Sequence, residues 1–320
     1  MMQISPETQL FIREHSSDDV RVLALQAKKY PDIDMPTAIT QIAGRKVAAE
    51  KIPSWWEIEK IWYPKHLSLE QCSSEITARY KARLLQGDSL TDLTGGFGID
   101  CSFLATGFKS ATYVERQEEL CEIAAHNFPV LNLNHINIKN EDGVTYLQAM
   151  SPVDCLFLDP ARRNEHGGKT VAISDCEPNV AELEELLLQK ANRVMIKLSP
   201  MLDLSLALKE LKQTQEVHIL SVNNECKELL ILLGQTSPTE ISIHCVNLST
   251  KGTQEEQHFV FTREQEQCSE CTYTDSLETY LYEPNASLLK AGAFRSIAAA
   301  YPVRKLHPNS HLYTSDTFIE

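Results

Sequence analysis

The residues of this chain best placed to do chemistry together are two carboxylates and three glycines. Asp92, Gly95, Gly96 and Gly98 lie in the run Asp92-Leu93-Thr94-Gly95-Gly96-Phe97-Gly98, and Glu115 ends the run Ala111-Thr112-Tyr113-Val114. Glycine at three positions in four permits positive φ and lets a ligand approach the backbone with no Cβ in the way. An acid closing the next β-branched and aromatic run suits a ribose, whose two hydroxyls both donate to a carboxylate. Asp92 narrows the ligand further. A dinucleotide site offers backbone N–H groups and a helix N-terminus to a pyrophosphate, and a carboxylate at the mouth of the turn repels that charge. A ligand whose charged groups are an ammonium and a sulfonium is attracted instead. The spacing G-x-G-x-x-G is absent, the turn being G-G-x-G. The plain alternative is a tight turn that binds nothing.

Two further stretches carry acids where ligands gather. Asn140-Glu141-Asp142-Gly143 follows a third predicted strand. Asp142 there can accept an adenine amino group while Gly143 or a neighbour offers a backbone N–H to a ring nitrogen; the same Asp can also cap the next helix. Val153 to Leu158 reads as a buried strand, and Asp159-Pro160 closes it. Burial does not account for that acid. Lys197, at the end of another apolar run, either faces a substrate or snorkels to solvent.

The elements that must position these residues alternate. Strands are predicted at 90–94, 111–115, 135–139, 153–158, 193–198 and 216–222, with helices at 99–106, 117–127, 143–149, 178–191 and 203–213. That pattern implies a mostly parallel sheet covered on both faces. Strands near 228–233, 241–248 and 258–262 are expected to add antiparallel pairing at one edge. Ahead of the sheet, residues 1–66 read as helical: Ser5-Pro6-Glu7, Asp18-Asp19 and Met35-Pro36-Thr37 are helix starts. Trp55-Trp56 and Ile61-Trp62-Tyr63 are expected to be the packing joint between this module and the sheet rather than a base-stacking platform. One helix is predicted over 67–85, capped by Ser68 with Gln71 at N3, with Ser73, Ser74 and Glu75 inside it. From Tyr280 a strand, a helix over 285–300 and a strand at 311–314 form a small β-α-β fragment.

Composition bounds the rest. The chain has 320 residues, 42% of them hydrophobic, enough for two or three domains. It lacks a run of ~18 apolar residues and a signal-peptide pattern, so a cytoplasmic protein is expected. Nine cysteines scattered singly read as reduced thiols. Cys268-Ser269-Glu270-Cys271 has no second pair at zinc spacing, so no metal is expected. Net charge is −14, unfavourable for generic nucleic-acid binding. Residues 1–90 hold 12 basic and 12 acidic residues, leaving all of that excess beyond them. Arg45, Lys46 and Lys51 read as a solvated helix face, or else as a basic surface for phosphates.

The Asp92–Gly98 run with Val114-Glu115 resembles motifs I and II of class I methyltransferases dependent on S-adenosylmethionine (SAM). Glu70-Gln71-Cys72-Ser73-Ser74-Glu75, Asp159-Pro160-Ala161-Arg162-Arg163 and Ile196-Lys197-Leu198-Ser199-Pro200 are similar to one branch, the bacterial methyltransferases with a THUMP-like domain. A fainter likeness links the Ser-Ser-Glu and Phe-Leu-Asp-Pro stretches to trimethylguanosine synthases. The likeness covers residues 65–265 well and the ends less specifically. It implies a Rossmann-like class I methyltransferase sheet over 67–265, an N-terminal helical domain over 1–66, and a ferredoxin-like α+β segment over 275–320, truncated before a THUMP-like domain. SAM is the implied cofactor, held by Ser73, Asp92, Thr94, Gly95, Gly96, Gly98, Glu115, Asp142 and Gly143. The implied catalytic loop, motif IV, is Asp159, Pro160 and Arg162, and the implied partner is an RNA substrate.

In amino-methyltransferases that loop reads Asp/Asn/Ser-Pro-Pro-aromatic, and its acid or carbonyl orients the target nitrogen. Here Ala161 and Arg162 replace the second proline and the aromatic. That departure keeps two other readings open: a SAM-binding scaffold with little catalysis, and a methyltransferase of a small molecule or protein. Arg162 and Arg163 contact substrate or form surface salt bridges, and the Gly-rich 164–175 stretch reads as a lid. No Pro-Cys pair is present, so the covalent cysteine mechanism of 5-methylpyrimidine enzymes has no nucleophile.

Overall fold

The computed structural model describes residues 4–162, 172–236, 238–250 and 256–319, without the side chains of His66, Leu67 and Arg162. The chain divides into two compact units, Met1–Phe157 and Leu158–Glu320.

The first unit begins with helices α1 (Pro6–Glu14), α2 (Val20–Leu25), α3 (Met35–Lys51) and α4 (Pro53–Trp56). Ser5, Asp19 and Asp34 cap the first three, each accepting from a backbone N–H in the first turn. Phe11, Leu23, Met35, Ala38 and Ile42 form their core. The aromatic run is a packing joint. Trp55 and Tyr63 are buried with Ile52, Phe97, Ile99 and Ile123, and Trp55 meets Phe97 edge-on at 5.2 Å. Trp62 stacks on His126 at 3.7 Å, and only Trp56 is exposed among the three tryptophans. Lys46 and Lys51 are engaged locally: Lys46 donates to the carbonyls of Ser17 and Asp18, and Lys51 to those of Leu69 and Glu70.

The single helix expected over 67–85 is two: α5 (His66–Gln71) and α6 (Glu75–Ala82). Ser68 and Gln71 make no capping box, since α5 starts from Lys65 without a side-chain cap. Cys72 and Ser74 are extended, so Ser73 sits in the break and Ser74 is the N-cap of α6. Hydroxyl residues compete with the helix for backbone partners, which favours such a break. There follow β1 (Ser89–Asp92), α7 (Ile99–Ala105), β2 (Ser110–Glu115), α8 (Glu118–Val130), β3 (Ile136–Asn140), α9 (Gly143–Ala149) and β4 (Val153–Leu158). Their strands run parallel in the order β4-β1-β2-β3. Asp92 is paired with Tyr113, and Glu115 with Asn140. The register therefore opens the loops after β1, β2 and β3 on one edge, the carboxyl edge where ligands bind in such sheets.

The second unit holds β5 (Ala161–Arg162), β6 (Cys176–Glu177), α10 (Val180–Lys190), β7 (Ala191–Leu198), α11 (Leu204–Glu210), β8 (Thr214–Val222), β9 (Glu225–Gly234), β10 (Ser242–Leu248), β11 (Gln257–Thr262) and α12 (Arg263–Cys268). The long strands are ordered β7-β9-β8-β10-β11. The antiparallel pairing expected at one edge is present between β10 and β11, but the strand at 228–233 does not lie at that edge. Strand β9 is inserted between β7 and β8, antiparallel to both, and β10 runs parallel to β8. The cause is the tight turn at Asn223-Asn224, whose φ values of 49° and 63° suit a two-residue hairpin. Only β11 is an antiparallel edge strand.

The unit ends in β12 (Tyr280–Tyr282), α13 (Ala286–Ala291), α14 (Phe294–Ala300), β13 (Arg304–Lys305) and β14 (Tyr313–Ser315), with the antiparallel order β12-β14-β13. The helix expected over 285–300 breaks at Gly292, left-handed at φ 74°, a common way for a helix to end.

Candidate active site

The glycine turn is built by packing as much as by conformation. A Cβ on Gly95 would lie 2.2 Å from the Tyr113 ring, so the turn lies flat on that buried tyrosine. Gly96 and Gly98 have φ of 53° and 88°, values that suit glycine. The Tyr113 hydroxyl donates to the Gly96 carbonyl. A Cβ on Gly96 would meet nothing nearer than the Thr94 carbonyl at 3.7 Å, so that side of the loop is open.

Both acids are tied to this turn. Asp92 is 1% exposed, and its Oδ1 accepts from the Thr94 N–H at 3.0 Å. Glu115 Oε2 accepts from the Gly96 N–H at 2.9 Å and Oε1 from the Gln117 N–H at 2.8 Å. Each Glu115 oxygen keeps lone-pair capacity, and hydrogen bonds to a charged acceptor stabilise by about 1.5–3 kcal/mol. The arrangement is a preformed pair of acceptors with a bare backbone between them. Cys101 and Cys121 lie close by, and burial pushes both thiols up, Cys121 to about 11. Neither thiol offers a thiolate at neutral pH.

Asp142 is the N-cap of α9. Its Oδ1 takes the Val144 and Thr145 N–H groups and the Thr145 hydroxyl at 2.9–3.1 Å, which leaves Oδ2 for a ligand. Gly143 has a packing reason: a Cβ there would lie 2.2 Å from the Leu93 carbonyl oxygen, so it fixes the contact between the third loop and the first.

Ser73 is not an isolated hydroxyl. Its Oγ donates to Asp100 Oδ2 at 2.7 Å and accepts from Lys81 Nζ at 2.8 Å, and Lys81 pairs with Asp100 Oδ1 at 2.9 Å. Lys81 is fully buried. Neither Lys81 nor Asp100 stood out in the sequence. The only available signal was a lysine on an otherwise buried helix face.

In the second unit, Asp159 follows β4 directly, and its carboxylate forms an ion pair with Lys197 of β7. Pro160 is buried. Ala161 and Arg162 pair antiparallel with Glu177 and Cys176 as β5 and β6, so the backbone just after Pro160 is tied into a two-stranded sheet although a second proline is missing. The Arg162 side chain, Arg163 and the stretch 164–171 lie outside the described residues.

Comparison with known proteins places the chain. A crystal structure of a "putative methyltransferase" from Porphyromonas gingivalis W83 is 34% identical, aligns over all of this chain and 81% of that one, and superposes with a TM-score of 0.86. At that identity over its whole length, the chain belongs to the family of the Porphyromonas gingivalis protein. Residues 280–320 match the model of a ferredoxin-like domain. More remote likenesses include an rRNA methylase from Streptococcus thermophilus, 15% identical over 50% of this chain and 93% of that one, with a TM-score of 0.36. Another is a "putative methyltransferase" from Streptococcus mutans in complex with SAH, 13% identical over 50% of this chain and 96% of that one, with a TM-score of 0.36. No curated protein matches the sequence significantly. The fold is thus a mixed α/β, Rossmann-like methyltransferase fold with a helical N-terminus and a small ferredoxin-like C-terminal module. No described helix is long and apolar enough to cross a membrane.

Proposed function

We propose that this protein is a SAM-dependent methyltransferase that acts on RNA by direct transfer to a nucleobase nitrogen. The observation that carries the reading is the pair of acceptors, Asp92 and Glu115, bracketing an open glycine turn. The residues present fit this cofactor. Glu115 suits the ribose hydroxyls, Asp92 the cationic methionine end, and Asp142 Oδ2 the adenine amino group. Ser73 is presented by the Lys81–Asp100 pair. Thr94, Gly95 and Gly98 shape the turn. When bound, SAM supplies an electrophilic methyl group on a sulfonium.

The chain's own part is then orientation. Asp159, held in place by its ion pair with Lys197, accepts from the target N–H₂ and orients the nitrogen lone pair for methyl transfer. Pro160 and the β5–β6 pairing limit backbone motion beside Asp159, and positioning of that kind contributes several kcal/mol to such reactions, on the order of 7–11 at best. Arg162 is assigned to the substrate base or phosphate by its place in the loop.

A second reading has its own observation. Lys46 and Lys51 spend their charge on backbone carbonyls, which reduces the basic surface offered to phosphates and favours a small-molecule or protein substrate. Incubating the protein with methyl-labelled SAM and separate cellular RNA, protein and metabolite fractions tests both. Label in RNA supports the proposal, label only in another fraction selects the second reading, and no label with intact SAM binding points to a scaffold.

A further inference from the structure

Away from the glycine turn, three histidines and a glutamate line one face of the second unit's sheet. Glu216 and His218 are two residues apart on β8, hence on the same face. The parallel register sets His244 of β10 directly opposite His218, and the antiparallel register of β11 places His258 diagonally beside His244. The His218 and His244 rings are 4.3 Å apart and nearly parallel. His218 Nε2 lies 3.3 Å from Glu216 Oε2, and His244 Nδ1 lies 3.1 Å from His258 Nε2. One ligand atom from each of Glu216, His218 and His244 falls within 4.8 Å of the others.

We propose that Glu216, His218 and His244 form a binding site for a divalent transition-metal ion of the zinc type. Two imidazoles and one carboxylate are a common donor set for Zn²⁺, which leaves a fourth position to water. With metal–ligand bonds near 2.1 Å, tetrahedral ligand atoms stand ~3.4 Å apart, so the set must draw in by little more than an ångström. Side-chain rotation supplies that movement while the strands stay in register.

The supports behind the ligands are already present. Arg193 holds Glu216 through Oε1 at 2.8 Å, leaving Oε2 toward His218. His258 Nε2 lies 3.1 Å from Nδ1 of His244, and the other nitrogen of that ring, Nε2, is the one assigned to the ion. Such outer partners orient ligands and typically change affinity 10- to 100-fold. On binding, the ion replaces the hydrogen bond between His218 Nε2 and Glu216 Oε2, and the single proton of the neutral His218 ring resides on Nδ1. The site joins β8 to β10 and is independent of the cofactor reading.

The test is calorimetric titration of ZnCl₂ into the chelator-stripped full chain carrying Cys268→Ser and Cys271→Ser, which removes the C-x₂-C thiols. One equivalent bound at micromolar Kd or tighter is expected, weakened at least 100-fold by His244→Ala and about 10-fold by His258→Gln. His244 is only half-buried, and a thermal melt of each metal-free variant confirms folding. Co²⁺ provides a readout on the unmutated ligand set: visible d–d bands without the intense ultraviolet bands of thiolate ligation. Zinc binding only at millimolar concentration, affinity unchanged in His244→Ala, or Co²⁺ bands typical of thiolate would each overturn the assignment.

Discussion

Lys197 of β7 forms an ion pair with Asp159, and the two ends of the pair are unequally buried: the lysine side chain is 10% exposed and the aspartate 36%. The cation is thus fixed in the sheet while the carboxylate still reaches solvent. An ionised carboxylate is an acceptor only, which is the state needed to take N–H bonds from an amine. Asp159→Ala is expected to lower kcat by about 100-fold or more, with SAM affinity nearly unchanged. Lys197→Met should lower kcat about 10-fold with SAM affinity nearly unchanged, because the acid loses the cation that holds it in place. Single-turnover methyl transfer beside calorimetric SAM titration checks both. If Lys197 matters only to folding, the melting temperature falls while the single-turnover rate stays at the wild-type value.

Gly95 and Gly96 separate space from conformation. In Gly95→Ala the new methyl would meet the Tyr113 ring 2.2 Å away, and overpacking of that kind costs roughly 1–3 kcal/mol. In Gly96→Ala there is room, and the cost is the left-handed backbone at φ 53°, about 1–2 kcal/mol. Thermal melts should rank Gly95→Ala as the more destabilised. Both should bind SAM at least 10-fold more weakly in calorimetry. A Gly96→Ala variant that binds SAM normally would remove the open side of the turn from the site.

What the sequence disclosed depended on distance along the chain. Asp92, the three glycines and Glu115 fall within a short stretch and share one βαβ unit, so local pattern found them, and the alternation of strands and helices was read nearly to the residue. What it hid depended on pairing. The insertion of β9 between β7 and β8 follows from a two-asparagine turn whose positive φ values no apolar periodicity reports. Lys81 and Asp100 meet Ser73 only after α5 and α6 separate, a break that helical periodicity smoothed over. His218, His244 and His258 come from three strands, and strand register alone sets them side by side.

The Ser73–Lys81–Asp100 cluster predicts a large stability effect from one substitution. Lys81 is fully buried and its partner Asp100 is 10% exposed. Lys81→Met leaves a buried carboxylate without its cation, a change that typically costs 3–5 kcal/mol, or about that range here. The double variant Lys81→Met/Asp100→Leu should recover most of the loss, because the uncompensated charge is gone. Urea unfolding of the four forms completes the cycle. SAM affinity should stay low in the double variant, since Ser73 has lost its bonds to Lys81 and Asp100. Wild-type affinity there would take Ser73 out of the cofactor site.

Asp154 offers a pH-dependent contribution that can be isolated. Its Oδ2 accepts from the Asp88 N–H at 2.8 Å, the Ser89 N–H at 2.9 Å and the Ser89 hydroxyl at 3.0 Å. The two backbone N–H bonds are the main reason its acid stays below the ordinary value of 3.8. A folded-state pKa lowered in this way adds stability that is complete above the unfolded value and is lost as pH falls below it. Asp154→Ala should therefore be less stable than wild type at pH 6, and the gap should narrow as pH falls through 3.8 toward 2.5. Parallel urea titrations at pH 6 and pH 3 measure the gap directly. An equal gap at both pH values would mean that the carboxyl stabilises the turn as a neutral acceptor and that its charge contributes nothing.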